Sequence, residues 1–295
     1  MRLAQKLQAP RRERCMLEAK QGITTNTEEQ ICVEERFRKK RRRDRLEKAG
    51  YFVVSFGILL VIWELTRALG LIDPMLFPSI QAVIKACIVG FKNGTLQMHM
   101  YASFMRVLTS FAIGIVLAVI FGFLIGWFRI VRLLLDPVIN FFRALPPIAL
   151  IPLMIIFFGI GETSKIVVLS YAAFFPAMVV IYQALTNLDP VYIRAAKTLG
   201  ASNLEIFRKV ILPQLVPHII TACRVSLGVC WATLVAAELI AAQKGIGAMM
   251  VDAQNFFQMA PLVLGILIIG AISLVMDGAV KAIERRATSW QEKMA

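Results

Sequence analysis

The sequence predicts an all-α membrane protein, and three observations carry that prediction. Apolar residues make up 58% of the 295-residue chain and charged residues 18%, against about 45–50% and about 25% in an ordinary soluble domain. The mean hydropathy is +0.69. Six segments are apolar for long enough to cross a hydrocarbon core of about 30 Å, which takes about 20 helical residues. Soluble enzyme folds are thereby excluded as the core of the chain.

The elements follow in order. Residues 1–49 form a basic N-terminal extension with 15 Lys/Arg against 8 Asp/Glu, so half of the formal +14 sits ahead of the first apolar stretch. Its densest run, residues 36–45, is placed where a topogenic cluster meets anionic headgroups, at about 1 kcal/mol per basic residue. Charge confined in this way argues against nucleic acid as a partner. No signal-peptide pattern precedes the first span, 51–69, which reads as an uncleaved anchor. Within it Glu64 and Arg67 stand three apart, as a local ion pair does. Next comes a short amphipathic helix against the outer membrane surface, with Ser79 as its N-cap and Gly90 as its stop.

The remaining spans are 104–127, 138–159, 166–186, 214–240 and 261–281. Pro146-Pro147 interrupts the third and predicts a kink, tolerated in a membrane where protein or a water-filled cavity surrounds it. The fifth is long enough to tilt or to extend beyond the bilayer. With the N-terminus inside, the cytoplasmic segments hold 25 basic residues and the outer ones four, Lys85, Lys92, Lys165 and Lys244. Both termini are therefore expected in the cytoplasm, with residues 50–295 forming the transmembrane domain.

Ionisable groups within spans default to functional hypotheses. Arg106 and Arg224 sit near span ends and are expected to snorkel. Arg143, with Pro146 and Pro147 at the broken span, and Glu238 in the fifth span are candidates for a translocation path or gate. Five scattered cysteines and two isolated histidines give no metal-ligand pattern, so no catalytic or metal site is expected.

The most informative stretch is the cytoplasmic loop 187–213. Asp189 can cap a helix that begins with Pro190. Gly200 can end it in the left-handed conformation. Ser202 and Glu205 then form a capping box for a second helix, which Pro213 closes. The result is a helix–glycine–helix hairpin whose small Ala195-Ala196 surface permits close approach. Such a hairpin can be a plain loop or an element that docks in a groove on a soluble partner. A DNA-binding reading fails because both ends are tethered to membrane spans.

The run from Arg194-Ala195-Ala196 through Gly200 to Leu212-Pro213 resembles the coupling loop of permease subunits in bacterial ATP-binding-cassette importers. That family's pattern is E-A-A-x-x-x-G followed by I-x-L-P. Arg194 stands where the family has Glu, and Ile211 falls one place late. Residues 143–149, 158–165 and 231–242 resemble the nitrate/sulfonate/taurine group of these permeases, and the last, followed by Lys244-Gly245-Ile246-Gly247, most resembles its taurine members. The likeness covers about residues 51–290.

What the resemblance implies is a type I importer permease of the bacterial inner membrane, with six transmembrane helices and a cytoplasmic coupling hairpin. It further implies a homodimer, two ATP-binding subunits and a periplasmic substrate-binding protein. Arg194, Ala195, Ala196, Leu199, Gly200, Ala201, Ser202 and Glu205 would seat on the ATPase. The cargo implied is taurine or a related sulfonate, with nitrate or bicarbonate as alternatives. No G-x-x-x-x-G-K-[ST] phosphate loop occurs in the chain, so ATP and Mg are expected on the partner and no cofactor on this subunit. The residues themselves leave open an ATPase-independent channel or secondary transporter, although no internal repeat is visible. They also leave open a membrane anchor that recruits a partner and transports nothing.

Overall fold

Long apolar runs give long helices wherever proline, glycine and caps do not intervene, and most of the breaks in this chain fall at such residues, those at Phe128 and at residues 256–258 excepted. The computed structural model describes residues 54–70, 76–241 and 243–288, with positions 47, 50, 51 and 73. The basic extension 1–49, with its run 36–45, lies outside the described residues apart from Glu47. Among the described residues the chain is helical, without strands. It divides into two units, 1–73 and 74–295.

In the first unit, α1 (54–68) is helical, and Arg67 donates to Glu64 at 2.9 Å as the spacing predicts. The second unit begins with α2 (Ile80–Lys92), where the Ser79 hydroxyl accepts from the Ala82 N–H at 3.1 Å. This helix runs past Gly90, the expected stop. One helical glycine costs only about 1 kcal/mol, and the reversal comes at Asn93-Gly94, where Gly94 has φ +74°. α3 (Thr95–Trp127) starts before the hydropathy does, because its first turns are helical but polar. α2 packs on α3 and α11 through Val83, Leu96 and Leu264.

The third span is not one kinked helix. α4 (Arg129–Ala144) and the segment Pro147–Phe158 meet at 85°. That segment is a 3-10 turn (Pro147–Leu150) followed by α5 (Ile151–Phe158). Each residue of the pair Leu145-Pro146 precedes a proline and is extended, with ψ 122° and 125°. The position before a proline is pushed out of the helical region. Two such positions in succession turn a kink into a right-angle break.

α6 (Glu162–Thr186) lies along α3. Gly114 and Gly122 of α3 leave no room for a Cβ, which would fall 2.6 Å from Ala173 and 2.9 Å from Ile181. Small residues that let backbones approach are the usual glue of membrane helices. α9 (Leu212–Ala241) completes the core against α6 with Leu169, Leu227, Trp231 and Leu234. α10 (Ile246–Asn255) and α11 (Met259–Ala287) follow. Four described helices are long and apolar enough to span a membrane, five if the bent pair counts as one.

Between α6 and α9 lie α7 (Pro190–Thr198), α8 (Asn203–Ile206) and a π-helical turn (Phe207–Ile211). Pro213 does not close α8. The chain continues as one helix, Asn203–Ile240. A proline in a helix interior removes an N–H and clashes with the carbonyl four residues back. Here the wider turn, in which the Leu212 N–H reaches Phe207 O, comes just before Pro213.

Candidate functional site: a coupling hairpin and a buried charge cluster

The hairpin is built from local chemistry. Asp189 caps α7 by accepting from the Val191 N–H at 2.9 Å. At its end Gly200 has φ +79°, the Gly200 N–H donates to Lys197 O at 2.9 Å, and the Ala201 N–H donates to Ala196 O at 3.1 Å. That paired pattern is a Schellman motif and needs the left-handed residue. The Ser202 hydroxyl then accepts from the Glu205 N–H at 3.3 Å, and the Glu205 carboxylate accepts from the Ser202 N–H at 3.1 Å. Lys209 joins Glu205 at 3.1 Å. The Ser202 backbone donor, foremost, and the Lys209 ammonium hold the Glu205 carboxyl down to about 2.

The hairpin has an inner and an outer side. Ile193 and Ala196 pack on Leu185, Ile206, Ile211 and Leu215. Arg194, Ala195, Gly200, Ser202 and Glu205 are exposed, and Ala201 is half-buried. Leu199 is 87% exposed and Leu204 74%, large apolar side chains at the tip of a polar-capped turn. Arg194 is exposed and makes no ion pair among the described residues.

Near the far end of α9 the structure assembles a second constellation from four parts of the chain. Glu238 on α9 is 1% exposed. Its carboxylate accepts from the Ser103 hydroxyl at 2.7 Å, from the Gly247 N–H at 2.8 Å and from the Arg106 guanidinium. Ser103 in turn accepts from the Ile246 N–H at 2.8 Å. Arg106, 4% exposed, grips Glu162 with two bonds of 2.7 and 2.8 Å and donates to Lys244 O at 3.2 Å. Lys165, also 4% exposed, donates to Glu162 at 3.2 Å. The Gly245 N–H donates to His99 Nδ1 at 3.1 Å. Gly245 has φ +139°, and a Cβ there would lie 2.5 Å from the Glu238 carboxyl carbon, so the loop wraps the carboxylate as only glycine can.

This cluster ties α3, α6, α9 and the start of α10 together with two cations and two anions. Glu162 alone among the four charges reaches outside, its side chain 60% exposed. Arg106 therefore does not snorkel: it lies inside the bundle with both carboxylates. Arg224, half-buried, bonds Asp277 of α11 at 3.0 Å with Glu284 at 3.5 Å. A cation among spans lowers its cost by finding carboxylates, and both arginines find them on other helices.

Of the path candidates, Arg143 and Pro146 are exposed at the break after α4, and Pro147 is half-buried. No hydrogen bond or ion pair joins Arg143 to Glu238 among the described residues. Sequence reasoning missed Ser103, Glu162 and Lys165. The available signal was that an Arg and a Glu inside separate spans each require an opposite charge. No three His, Cys, Asp or Glu side chains converge as a metal site among the described residues.

The structure is a helical bundle of membrane-span length carrying a capped hairpin on a continuous helix, the class of multi-pass membrane protein. Residues 114–289 match the binding-protein-dependent transport system inner membrane component family, and the chain belongs to it. The protein is 41% identical over 249 residues to a probable ABC transporter permease protein of Brucella abortus, covering 84% of this chain and 98% of that one. It is 36% identical over 268 residues to the taurine transport system permease protein of Escherichia coli K12, covering 88% and 98%. Among solved structures, an inward-facing MetNI methionine ABC transporter matches with TM-score 0.56 and 20% identity, over 64% of this chain and 94% of that one. The fold is that of the type I ABC importer permeases, and the chain is a multi-pass membrane transport subunit rather than an enzyme.

Proposed function

We propose that this chain is the translocating subunit of an ATP-driven importer for taurine or a related sulfonate. It works as a homodimer with two ATP-binding subunits and a substrate-binding protein on the outer face. The observation that carries the reading is the hairpin: a doubly capped, rigid turn that presents Leu199 and Leu204 to solvent. Exposed apolar side chains on an ordered tip mark an interaction site. Arg194, Ala195, Leu199, Gly200, Ala201, Ser202 and Glu205 form the face that meets the ATPase, with Ala196 packed beneath it as part of the same seat.

Both termini lie in the cytoplasm, following the basic residues. ATP and Mg bind the partner, and this subunit holds no cofactor. Arg143, Pro146 and Pro147 face the path at the broken span, and Glu238 acts as a gate through the cluster that encloses it. The 36% identity to a taurine permease supports the sulfonate cargo over nitrate or bicarbonate.

The test is ATP-dependent uptake of labelled taurine into proteoliposomes holding this chain, its ATPase and its binding protein. Unlabelled ethanesulfonate, nitrate and bicarbonate serve as competitors. ATP-dependent taurine uptake that unlabelled taurine, added as a fourth competitor, blocks more strongly than these three is the expected result. ATP-dependent uptake abolished by another competitor changes the cargo. Uptake that persists without the ATPase, or follows an ion gradient, replaces the importer with a channel or secondary transporter. An intact complex that transports nothing leaves a membrane anchor.

A further inference from the structure

Where α3 ends, a groove of about 510 Å³ opens between that helix and the second half of the hairpin. Its α3 wall is Ile120, Phe123, Trp127 and Phe128, and Leu204 and Phe207 supply the hairpin wall. Phe207 is held edge-on by Phe123, with ring centroids 5.5 Å apart, and by Trp127 at 5.9 Å. The groove is thus a fixed, aromatic-walled slot rather than a gap between loose side chains. Its volume falls within the range of about 300–1,000 Å³ usual for sites that hold an organic ligand.

Three arginines stand next to the slot's lining in the chain. Arg129 follows Phe128 directly, Arg132 stands one helical turn further on, and Arg208 follows Phe207. Arg129 and Arg208 are exposed, Arg132 is half-buried, and none of the three forms an ion pair among the described residues. An apolar slot whose lining residues Phe128 and Phe207 are followed in the chain by arginines that form no ion pair among the described residues fits one kind of occupant, an amphiphile with a hydrocarbon tail and an anionic head.

We propose that the slot between the end of α3 and the hairpin binds an anionic phospholipid, its acyl chain in the slot and its headgroup on Arg129, Arg132 and Arg208. The placement at a membrane surface rests on the reading above, which sets the hairpin on the cytoplasmic face. Guanidinium groups pair with phosphate through parallel N–H donors, and basic residues next to a membrane attract anionic headgroups. Because Leu204 and Phe207 belong to the hairpin and the facing wall to α3, a bound tail braces the coupling element against the bundle.

The test reads Trp127 directly and does not depend on transport. The assembled complex is reconstituted in phosphatidylcholine vesicles doped with brominated phosphatidylglycerol or brominated phosphatidylcholine. The Trp127 signal is the difference in emission between the complex and its Trp127→Phe variant. The expected result is half-maximal quenching at a mole fraction about tenfold lower for the anionic lipid. Combined Arg129→Gln, Arg132→Gln and Arg208→Gln substitutions abolish that preference, and the corresponding Lys substitutions largely retain it. Equal quenching by the two lipids means ordinary bilayer contact and overturns the proposal. No quenching by either means that protein covers the slot, the ATPase included, and overturns it equally.

Discussion

Replacing Arg106 with Met removes one cation from the enclosed cluster while roughly keeping the side chain's length. Glu238, 1% exposed, then retains only Ser103 and the Gly247 N–H. Glu162 loses two hydrogen bonds but stays 60% exposed, so water replaces them at little cost. The penalty therefore falls on Glu238. Breaking a buried pair by removing one partner costs about 3–5 kcal/mol, because the other charge is left enclosed and uncompensated. At about 2–4 °C per kcal/mol for a chain of this order, the unfolding midpoint should fall by roughly 6–20 °C. The assay is thermal unfolding of the purified permease, followed by circular dichroism. The double variant Arg106→Met/Glu238→Met should recover most of the loss, since two apolar side chains of similar volume replace the pair. Lys209→Met, at an exposed pair, should leave the midpoint unchanged. An Arg106→Met midpoint indistinguishable from that of Lys209→Met would refute the reasoning.

Three further outcomes follow from other residues. Gly200→Val should cost about 1–2 kcal/mol at φ +79° and weaken ATPase association in pull-down, with Gly200→Asn much milder, because asparagine tolerates the left-handed region. Leu199→Asp should leave the unfolding midpoint untouched, since the side chain is 87% exposed, while ATPase association and taurine uptake fall together. Gly245→Ala should lower stability by about 1–3 kcal/mol, measured by the same melt, because its Cβ collides with the Glu238 carboxyl.

The hairpin was legible in the sequence because its chemistry is local. Asp189 before Pro190, Gly200, and Ser202 three residues ahead of Glu205 each act within one turn of themselves, and each does in the structure what its type prescribes. The long apolar spans were legible for the same reason: hydropathy is a property of the segment. The charge cluster was not. Ser103 and Glu238 are 135 positions apart, and nothing in either neighbourhood says which carboxylate an intramembrane Arg106 will meet. The same limit hid the fate of the prolines. Pro146-Pro147 predicted a bend, but its 85° depends on extended backbone at two successive residues. Pro213 looked like a terminator, and a π turn carries the helix through it. Proline states which hydrogen bond is missing and leaves to the surrounding packing how the backbone responds.

That uninterrupted passage makes Asn203–Ile240 a single rod. From Asn203, in the hairpin, to Glu238, in the enclosed cluster, 35 residues at 1.5 Å each rise roughly 53 Å. A helix is stiff along its axis, so a pull on the hairpin reaches the far end without waiting for loops to rearrange. The π turn at its base is where a small rotation can be absorbed. Hairpin and charge cluster are thereby the two ends of one rod: the helix that starts at the exposed tip is the helix whose far end Arg106 pins.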